Sequence, residues 1–125
     1  MILLDTHTLI WVLTDPGRLS DTARRVIEDE EDQAVSVASF WEIVVKRSLH
    51  EIHLGDPLDW WNRAVANSDS RVLPIHSAHV AAVWNLPAIH KDPFDRILIA
   101  QAIVEGARIV SRDEVFERYP VTVVW

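Results

Sequence analysis

The chain has 125 residues, 49% of them hydrophobic, which is enough to bury the core of one domain, expected over residues 1–125. Its 19 Asp and Glu against 12 Lys and Arg give a net charge of -7, which argues against a protein that coats nucleic acid through a basic surface. The absence of cysteine excludes disulfides and thiolate zinc sites and suits a reducing cytoplasm.

A membrane or secretory role is not expected. The first predicted strand begins at Ile2, which leaves no room for a signal peptide. No apolar run approaches the roughly 20 residues that a membrane-spanning helix needs. We therefore expect a cytoplasmic protein with no membrane partner.

Hydrophobic periodicity and turn signals predict strands that alternate with helices. In chain order they are a strand at Ile2–Leu4, helices at 6–13 and 20–31, a strand at 34–37, helices at 39–50 and Pro57–Asn67, a strand at 71–75, helices at 77–84 and 92–105, a strand at 108–111, a helix at 113–119 and a strand at 121–124. Asp15-Pro16-Gly17 stops the first helix, and Gly106 stops the sixth. The order predicts a three-layer α/β/α domain with a mostly parallel sheet of about five strands.

Four acidic residues stand where a strand ends or a helix begins: Asp5, Glu42, Asp95 and Asp113. In a parallel sheet the residues that follow the strands share one edge, and a crossover helix starts near that edge. Asp5 and Asp113 follow strands, whereas Glu42 and Asp95 are expected in first helical turns. The four carboxylates are therefore expected to converge at the edge where ligands bind.

Helix capping is the competing explanation for each acid taken singly. Ser39-Phe40-Trp41-Glu42 fits a capping box, Asp92 with Pro93 fits a cap followed by proline, and Asp113 fits a cap. Four converging carboxylates, however, would repel one another unless a cation were present. Oxygen ligands without cysteine favour Mg²⁺ or Mn²⁺ over Zn²⁺, and such ions commonly join carboxylates to substrate phosphates. The pattern thus favours phosphoester hydrolysis.

Several motifs together resemble one protein family. They are MILLDTHTLIW at the start, Ser39-x-x-Glu42, HKDPFDRILIAQA around Asp92 and Asp95, and Ser111-Arg112-Asp113. Over the whole chain they resemble the PIN-domain ribonucleases, specifically the VapC-type toxins of toxin-antitoxin pairs. His7 is a departure, because many members of the family have Asn there.

The resemblance implies a role for each acid. Asp5, Glu42, Asp95 and Asp113 would hold one or two Mg²⁺ or Mn²⁺ ions, Asp113 often through water. Asp92 and Thr6 would support that site from behind the ligands. The implied reaction is endoribonuclease cleavage of an RNA phosphodiester by activated water, leaving 5′-phosphate and 3′-hydroxyl ends. The implied partners are RNA, a cognate antitoxin and a second copy of the chain.

Basic residues near the acids are candidates for holding RNA phosphates. They are Lys46, Arg47, Lys91, Arg96 and Arg112. Arg96 and Arg112 are the favoured pair because each lies beside one of the acids. An ordinary solvated face is the alternative for all of them.

Histidines and tryptophans receive less specific interpretations. His50-x-x-His53 and His76-x-x-His79 have metal-like spacing, but without further soft ligands they are expected to be surface or capping residues. Most of the six tryptophans are expected in the core. The exception is the pair Trp60 and Trp61, because adjacent helical positions cannot both face one core.

Three alternatives to a nuclease stay open at this point. A receiver-type signalling domain would need an Asp after a middle strand and a Lys after a late one, where Ser39 and Arg112 follow here. A phosphohydrolase with an aspartyl nucleophile would need a second Asp at position 7, which is His. A catalytically silent, antitoxin-binding relative would lack one of the four acids, and all four are present.

Overall fold

The computed structural model describes residues 1–46 and 52–125, and it shows one five-stranded parallel sheet in that part of the chain. The strands are β1 Ile2–Leu4, β2 Gln33–Ser36, β3 Arg71–Leu73, β4 Arg108–Val110 and β5 Val123–Val124. Their order is β3-β2-β1-β4-β5, and every neighbouring pair is parallel. The predicted parallel sheet of about five strands is therefore confirmed.

Six α-helices are described. They are α1 Thr6–Thr14, α2 Asp21–Asp29, α3 Val37–Val45, α4 Pro57–Asn67, α5 Ser77–Val83 and α6 Pro93–Glu105. Short 3₁₀ helices cover Pro16–Arg18 and Glu114–Arg118. Within the described ranges, no helix is both long and apolar enough to cross a membrane.

The core lies on both faces of the sheet. Along β1, Leu3 packs in one cluster, whereas Ile2 and Leu4 pack in the other. Successive side chains of a strand point to opposite faces, so this alternation requires cover on both sides. Helix α6 lies on the Leu3 side, and its residues from Ile97 to Ala102 are all buried. The predicted three-layer arrangement follows from these contacts.

Several predicted boundaries are wrong by one or two residues, and one shift changes the site. Helix α3 begins at Val37 rather than Ser39, because the Ser36 side chain accepts a hydrogen bond from the Ala38 amide at 3.0 Å. Ser39 is therefore inside the helix, and the predicted capping box from Ser39 to Glu42 is absent. The expected end of this helix, with Arg47 and His50, lies outside the described residues.

Two further helices differ from the prediction. Helix α5 ends at Val83 rather than at residue 84, and its N-cap is His76, whose amide donates to His79 Nδ1 at 2.9 Å. The segment after Asp113 is a 3₁₀ helix that ends at Arg118, not an α-helix to Tyr119. Gly106 ends α6 with φ of 64°, as predicted, since glycine adopts this left-handed conformation without steric cost.

The tryptophans are mostly not in the core, which contradicts the prediction. Only Trp61 is buried, stacked on Phe40 with ring centroids 4.8 Å apart. Trp84 is 90% exposed and Trp41 55% exposed. Trp60, at the adjacent position of α4, is half-buried and packs against the same core cluster as Trp61, so the expectation that the two cannot both face one core is wrong. Periodicity alone did not separate core tryptophans from surface ones.

Candidate metal centre

The strand order of the sheet reverses between β1 and β4. From β1 the chain continues to β2 on one side, while β4 and β5 lie on the other side. In open parallel sheets the crevice at the carboxyl ends of such strands is where ligands bind. Asp5 directly follows β1, and its amide donates to the carbonyl of Val110, the last residue of β4, at 3.1 Å. The first acid is thereby fixed at the crevice.

Asp5 is buried, with 5% of its surface exposed, and it caps α1. One carboxylate oxygen accepts the Thr8 amide at 2.8 Å. Burial raises the pKa of Asp5, and hydrogen bonds from Ser111 and Thr8 oppose that rise. Capping and a role in the site are therefore compatible, because the cap occupies only one of the two oxygens.

Glu42 lies in the second turn of α3 rather than in the first turn, where it was expected. It is 4% exposed, and its Oε2 accepts the Lys46 ammonium at 2.9 Å. The other oxygen, Oε1, is buried and has no hydrogen-bond partner among the described residues. A buried carboxylate oxygen without a partner is costly, which indicates that a cation or another donor belongs beside it.

Asp92 caps α6 by accepting the Phe94 amide at 2.8 Å, and its second oxygen accepts Lys46 Nζ at 2.6 Å. Burial acts to raise the pKa of Asp92, but the hydrogen bonds from Lys46 and Phe94 outweigh it and hold the pKa below its ordinary value. Burial acts to lower the pKa of Lys46, but the hydrogen bonds that its ammonium donates to Asp92 and Glu42 outweigh desolvation and raise that pKa. Asp92 therefore shares one cation with Glu42.

Asp95 is the third residue of α6, and its carboxyl group is strongly perturbed. Burial, followed by the negative charges of Asp92 and Glu42, raises the pKa of Asp95 to about 7, despite a hydrogen bond to His90. The carboxyl group thus resists ionisation in the metal-free protein. A bound cation would remove that resistance.

Asp113 is exposed and caps the last 3₁₀ helix by accepting the Val115 amide at 3.0 Å. Its own amide donates to Ser111 Oγ at 3.0 Å. The Ser111 side chain also hydrogen-bonds Asp5, so one serine connects the residues that follow β1 and β4. Ser111 had no assigned role in the sequence prediction.

The structure brings the four predicted acids to a single cavity of about 200 Å³. It is lined by Asp5, His7, Glu42, Lys46, Asp92, Asp95 and Asp113. The expected convergence is therefore present, whereas the catalytic and ligand roles of these residues stay predictions. The unpartnered Glu42 oxygen and the raised pKa of Asp95 both fit a hard divalent cation bound among carboxylate oxygens.

His90 is the residue of this region that the sequence prediction missed. Its Nε2 lies 2.7 Å from Asp95 Oδ2, and one ligand atom each from His90, Asp95 and Asp113 lie within 4.8 Å of one another. The sequence argument considered only histidine pairs at helical spacing. The available signal was different: a histidine two residues before the Asp92 cap, inside the HKDPFDR motif.

The predicted supporting residues occupy different places. Thr6 is buried, and its hydroxyl donates to Ser39 Oγ at 3.0 Å, which joins the starts of α1 and α3 behind the cavity. His7 is exposed, lines the cavity and lies 5.8 Å from the Trp11 ring. These positions connect the N-terminal segment to the acidic cavity.

The candidate phosphate-binding residues separate into two groups. Arg112 lines a second cavity of about 250 Å³, which adjoins the first through their shared lining residues Asp5, His7 and Asp113. Arg96 points elsewhere, since its guanidinium donates to the carbonyl oxygens of Pro87 at 2.9 Å and His90 at 3.3 Å. The structure therefore places Arg112 and Lys46 at the cavities, whereas Arg96 holds the backbone of the segment that precedes α6. Lys91 is exposed, and Arg47 lies outside the described residues.

A zinc site at the paired histidines has no support in the described part of the chain. His79 is fully buried, and both ring nitrogens have partners, the His76 amide at 2.9 Å and Glu105 Oε1 at 2.8 Å. His79 thus joins α5 to α6 and acts in capping, as expected. His53 is exposed, and its possible partner His50 lies outside the described residues.

Comparison with known proteins agrees with the geometry of the site. Residues 2–121 match the sequence profile of the PIN domain. Ribonuclease VapC22 of Mycobacterium tuberculosis is 32% identical over 112 residues, which are 90% of this chain and 86% of that protein.

Two solved structures show the same fold. VapBC2 from Rickettsia felis, bound to a DNA fragment from its promoter, superposes with a TM-score of 0.71 at 13% identity, covering 98% of this chain and 97% of the other. DNA-bound VapBC from Salmonella typhimurium gives a TM-score of 0.70 at 18% identity, with 98% and 95% covered. The sequence match over almost the whole chain, the fold and the acidic cavity lead to one conclusion: this chain belongs to the PIN domain family.

Proposed function

We propose that this chain is an endoribonuclease dependent on Mg²⁺ or Mn²⁺ and acts as the toxin of a toxin-antitoxin pair. The observation that carries the proposal is the cavity in which Asp5, Glu42, Asp95 and Asp113 meet, with one buried Glu42 oxygen lacking a partner among the described residues. The similarity to Ribonuclease VapC22 supports RNA as the substrate.

The carboxylates are the residues that would hold the metal ion. Oxygen donors of this kind suit Mg²⁺ or Mn²⁺, and a bound ion supplies an acidified water and stabilises the charge that develops on the phosphate. Asp5 and Glu42, fixed by capping and by Lys46, provide preorganised oxygens. Asp113 is exposed and lies on the open side, which suits a ligand that acts through water. Asp92 holds Lys46 against Glu42 and supports the site from its edge.

The RNA strand is proposed to enter past Arg112. This exposed cation lines the adjoining cavity together with Trp11, so a phosphate and a base can be held beside the acids. Lys46 lines the acidic cavity itself, with 26% of its side chain exposed, and is the second candidate for a phosphate contact. The arrangement would place the scissile phosphate between the two cations.

A cognate antitoxin is the proposed protein partner. Solved structures of similar fold are described as toxin-antitoxin complexes, including one from Klebsiella pneumoniae. The net charge of -7 and the open acidic cavity suit a basic antitoxin segment lying over the site. A small basic reading frame directly beside this one, whose product co-purifies with the chain and suppresses cleavage, would support the pairing. An active chain that purifies alone as a monomer would count against it.

A second copy of the chain is the proposed occupant of an apolar groove of about 530 Å³. Its lining residues are Trp41, Ile75, Val80, Val83, Trp84, Pro93, Arg96 and Ile97. Trp84 at 90% exposure and Val80 at 58% leave large apolar side chains in water, which is typical of an interface. The groove borders the start of α6, so two acidic cavities would lie near one interface. The reducing cytoplasm remains the expected location.

RNA digestion tests the reaction directly. Purified chain is incubated with a mixed RNA substrate in Mg²⁺, in Mn²⁺ and in EDTA, and product ends are identified. Cleavage is expected only with metal, leaving 5′-phosphate and 3′-hydroxyl ends, and Asp5→Asn or Asp95→Asn should lower it by at least about a hundredfold. Asp21→Asn, an exposed acid in the first turn of α2, is the matched control and should cleave normally. Undiminished cleavage in EDTA or in both site variants would refute the proposed metal-dependent reaction.

These findings contradict two of the three alternative functions that the sequence left open. Membership of the PIN family contradicts the receiver-type domain and the aspartyl phosphohydrolase. The catalytically silent, antitoxin-binding relative remains the alternative function. The digestion experiment separates it from the nuclease, because a silent relative would bind its partner without cutting RNA.

A further inference from the structure

His90 and Asp95 form a contact that the sequence analysis does not use. His90 Nε2 and Asp95 Oδ2 lie 2.7 Å apart, and the two side chains are 24% and 20% exposed. His90 belongs to the segment that leads into α6, whereas Asp95 is in the first turn of that helix. The contact therefore ties the entry segment to one of the acids that line the cavity.

The hydrogen bonds around the ring assign its tautomer. His90 Nδ1 faces the backbone amide of Asp92 at 3.4 Å, and an amide can only donate, so Nδ1 is the unprotonated nitrogen. In the neutral ring the proton then lies on Nε2. Nε2 therefore donates to Asp95 Oδ2 and occupies one lone-pair region of that oxygen.

The backbone of His90 is anchored from two directions. Its amide donates to the hydroxyl of Tyr119 at 2.7 Å, and its carbonyl accepts Arg96 Nη1 at 3.3 Å. Tyr119 is 4% exposed, and Arg96 also donates to Pro87, so both anchors are themselves fixed. A ring held in this way can orient a carboxylate without having to order a flexible loop first.

We propose that His90 is a positioning residue: by donating to Asp95 Oδ2 it holds the carboxylate in place, and the other oxygen of Asp95 would then be left to help hold the metal ion. This inference rests on the proposed metal-dependent function. The alternative is that His90 itself binds the metal through Nε2. That would move the ring proton to Nδ1 and point it at the Asp92 amide hydrogen, so the observed contacts favour orientation over ligation.

Mn²⁺ binding measured by calorimetry on the full chain tests the proposal apart from activity. His90→Ala should weaken Mn²⁺ binding by roughly tenfold, as loss of a residue that orients a ligand does elsewhere. His90→Gln, whose side-chain amide can donate from a position close to Nε2, should recover most of that loss. His53→Ala, an exposed histidine outside the cavity, is the matched control and should bind as the unchanged chain does.

Equal affinity in His90→Ala and the unchanged chain would overturn the positioning role, provided that the unchanged chain binds Mn²⁺. If the unchanged chain itself binds no Mn²⁺, the metal-dependent function fails first and the inference falls with it. Unfolding of His90→Ala and His90→Gln in EDTA is the control for folding, and the two variants are expected to have closely similar free energies of unfolding. With equal stability, a difference in Mn²⁺ affinity between them does not reflect a general loss of structure.

Pulsed electron paramagnetic resonance of the Mn²⁺-loaded chain separates orientation from ligation by a readout other than affinity. The expected spectrum lacks the strong nitrogen coupling of a directly bound imidazole. A coupling of that kind, lost in His90→Ala, would show that His90 is a ligand and would overturn the proposal. If His90→Ala does not fold, His90→Gln, which also lacks the imidazole, takes its place in this comparison.

Discussion

The ammonium of Lys46 lies 2.6 Å from Asp92 Oδ2 and 2.9 Å from Glu42 Oε2, so one cation joins α3 to the start of α6 across the acidic cavity. Lys46 and Asp92 are 46 positions apart in the sequence, so this contact joins separate elements. Without this cation, Glu42, Asp92 and Asp95 would face one another with no positive charge from Lys46 between them. Lys46 thus holds the site together before any metal ion binds.

Lys46→Met is expected to destabilise the metal-free chain by about 1–2 kcal/mol, between the values for exposed and fully buried ion pairs. Mn²⁺ should return much of that stability, because it neutralises the same carboxylates. Urea unfolding in EDTA and in Mn²⁺ measures both effects. Arg18→Met, which removes an exposed ion pair with Asp15, is the control and should change stability little under either condition. Equal losses in EDTA and Mn²⁺ would contradict the interpretation.

The raised pKa of Asp95 predicts how stability depends on pH in the absence of metal. The pKa of Asp95 is about 7 in the folded chain, against an ordinary value of 3.8. Between those values the folded state keeps a proton that the unfolded state releases, so the free energy of unfolding falls as pH rises. The contribution is complete below pH 3.8 and is lost on passing about pH 7.

Asp95→Asn isolates this effect, because it removes the titrating group and keeps an acceptor for His90. The free energy of unfolding in EDTA should fall with pH more steeply in the unchanged chain than in Asp95→Asn, by up to about 1.4 kcal/mol per pH unit. Urea titrations at about pH 5, 6, 7 and 8 give the two slopes. Parallel curves would show that Asp95 does not titrate in this range.

Gln101 connects the central helix to the sheet. Its Oε1 accepts the Ser36 hydroxyl at 2.6 Å, its Nε2 donates to the Pro74 carbonyl at 3.2 Å, and the residue is fully buried. Gln101→Ala leaves a cavity and two unsatisfied polar groups, so we expect a loss of about 2–4 kcal/mol. Thermal unfolding measures it. Asn62→Ala, an exposed amide on α4, should stay within about 0.5 kcal/mol.

If a second copy of the chain occupies the apolar groove, a charge placed there is expected to change the oligomeric state. Val80→Lys places a charge in the groove, whereas Val104→Lys makes the same change on an exposed position of α6 that does not line it. Sedimentation should show a dimer for the unchanged chain and for Val104→Lys, and a monomer for Val80→Lys. Thermal unfolding should confirm that Val80→Lys is folded. Identical sedimentation of both variants would remove this groove as the dimer interface.

Arg112 is expected to contribute one phosphate contact to the electrostatic part of RNA binding. In an Asp5→Asn background, which prevents cleavage, Arg112→Met should weaken binding of single-stranded RNA. The plot of the logarithm of affinity against that of salt concentration should become shallower by about 0.7, which corresponds to one lost phosphate contact. Arg25→Met, an exposed arginine on α2, is the control. An unchanged slope would place the RNA elsewhere.

Local sequence signals determined the parts of this protein that depend on neighbouring residues. The apolar run Ile2–Leu4, the Asp56-Pro57 start of α4 and the Gly106 stop of α6 are set by side-chain burial, capping and backbone conformation. With strands alternating with helices, chain direction then required Asp5 and Asp113 to share the carboxyl edge of a parallel sheet. The acidic cavity was predictable for that reason.

Tertiary structure alone decided which atoms meet across that edge. Lys46 reaches Asp92, His90 turns its Nε2 towards Asp95, and Ser111 joins Asp5 to Asp113, all through contacts between separate elements. The burial of Trp61 and the exposure of Trp84 were likewise decided by packing. The order of strands and helices in the sequence predicts the direction in which each element runs. The partners of a side chain depend instead on how the elements pack, which no local pattern encodes.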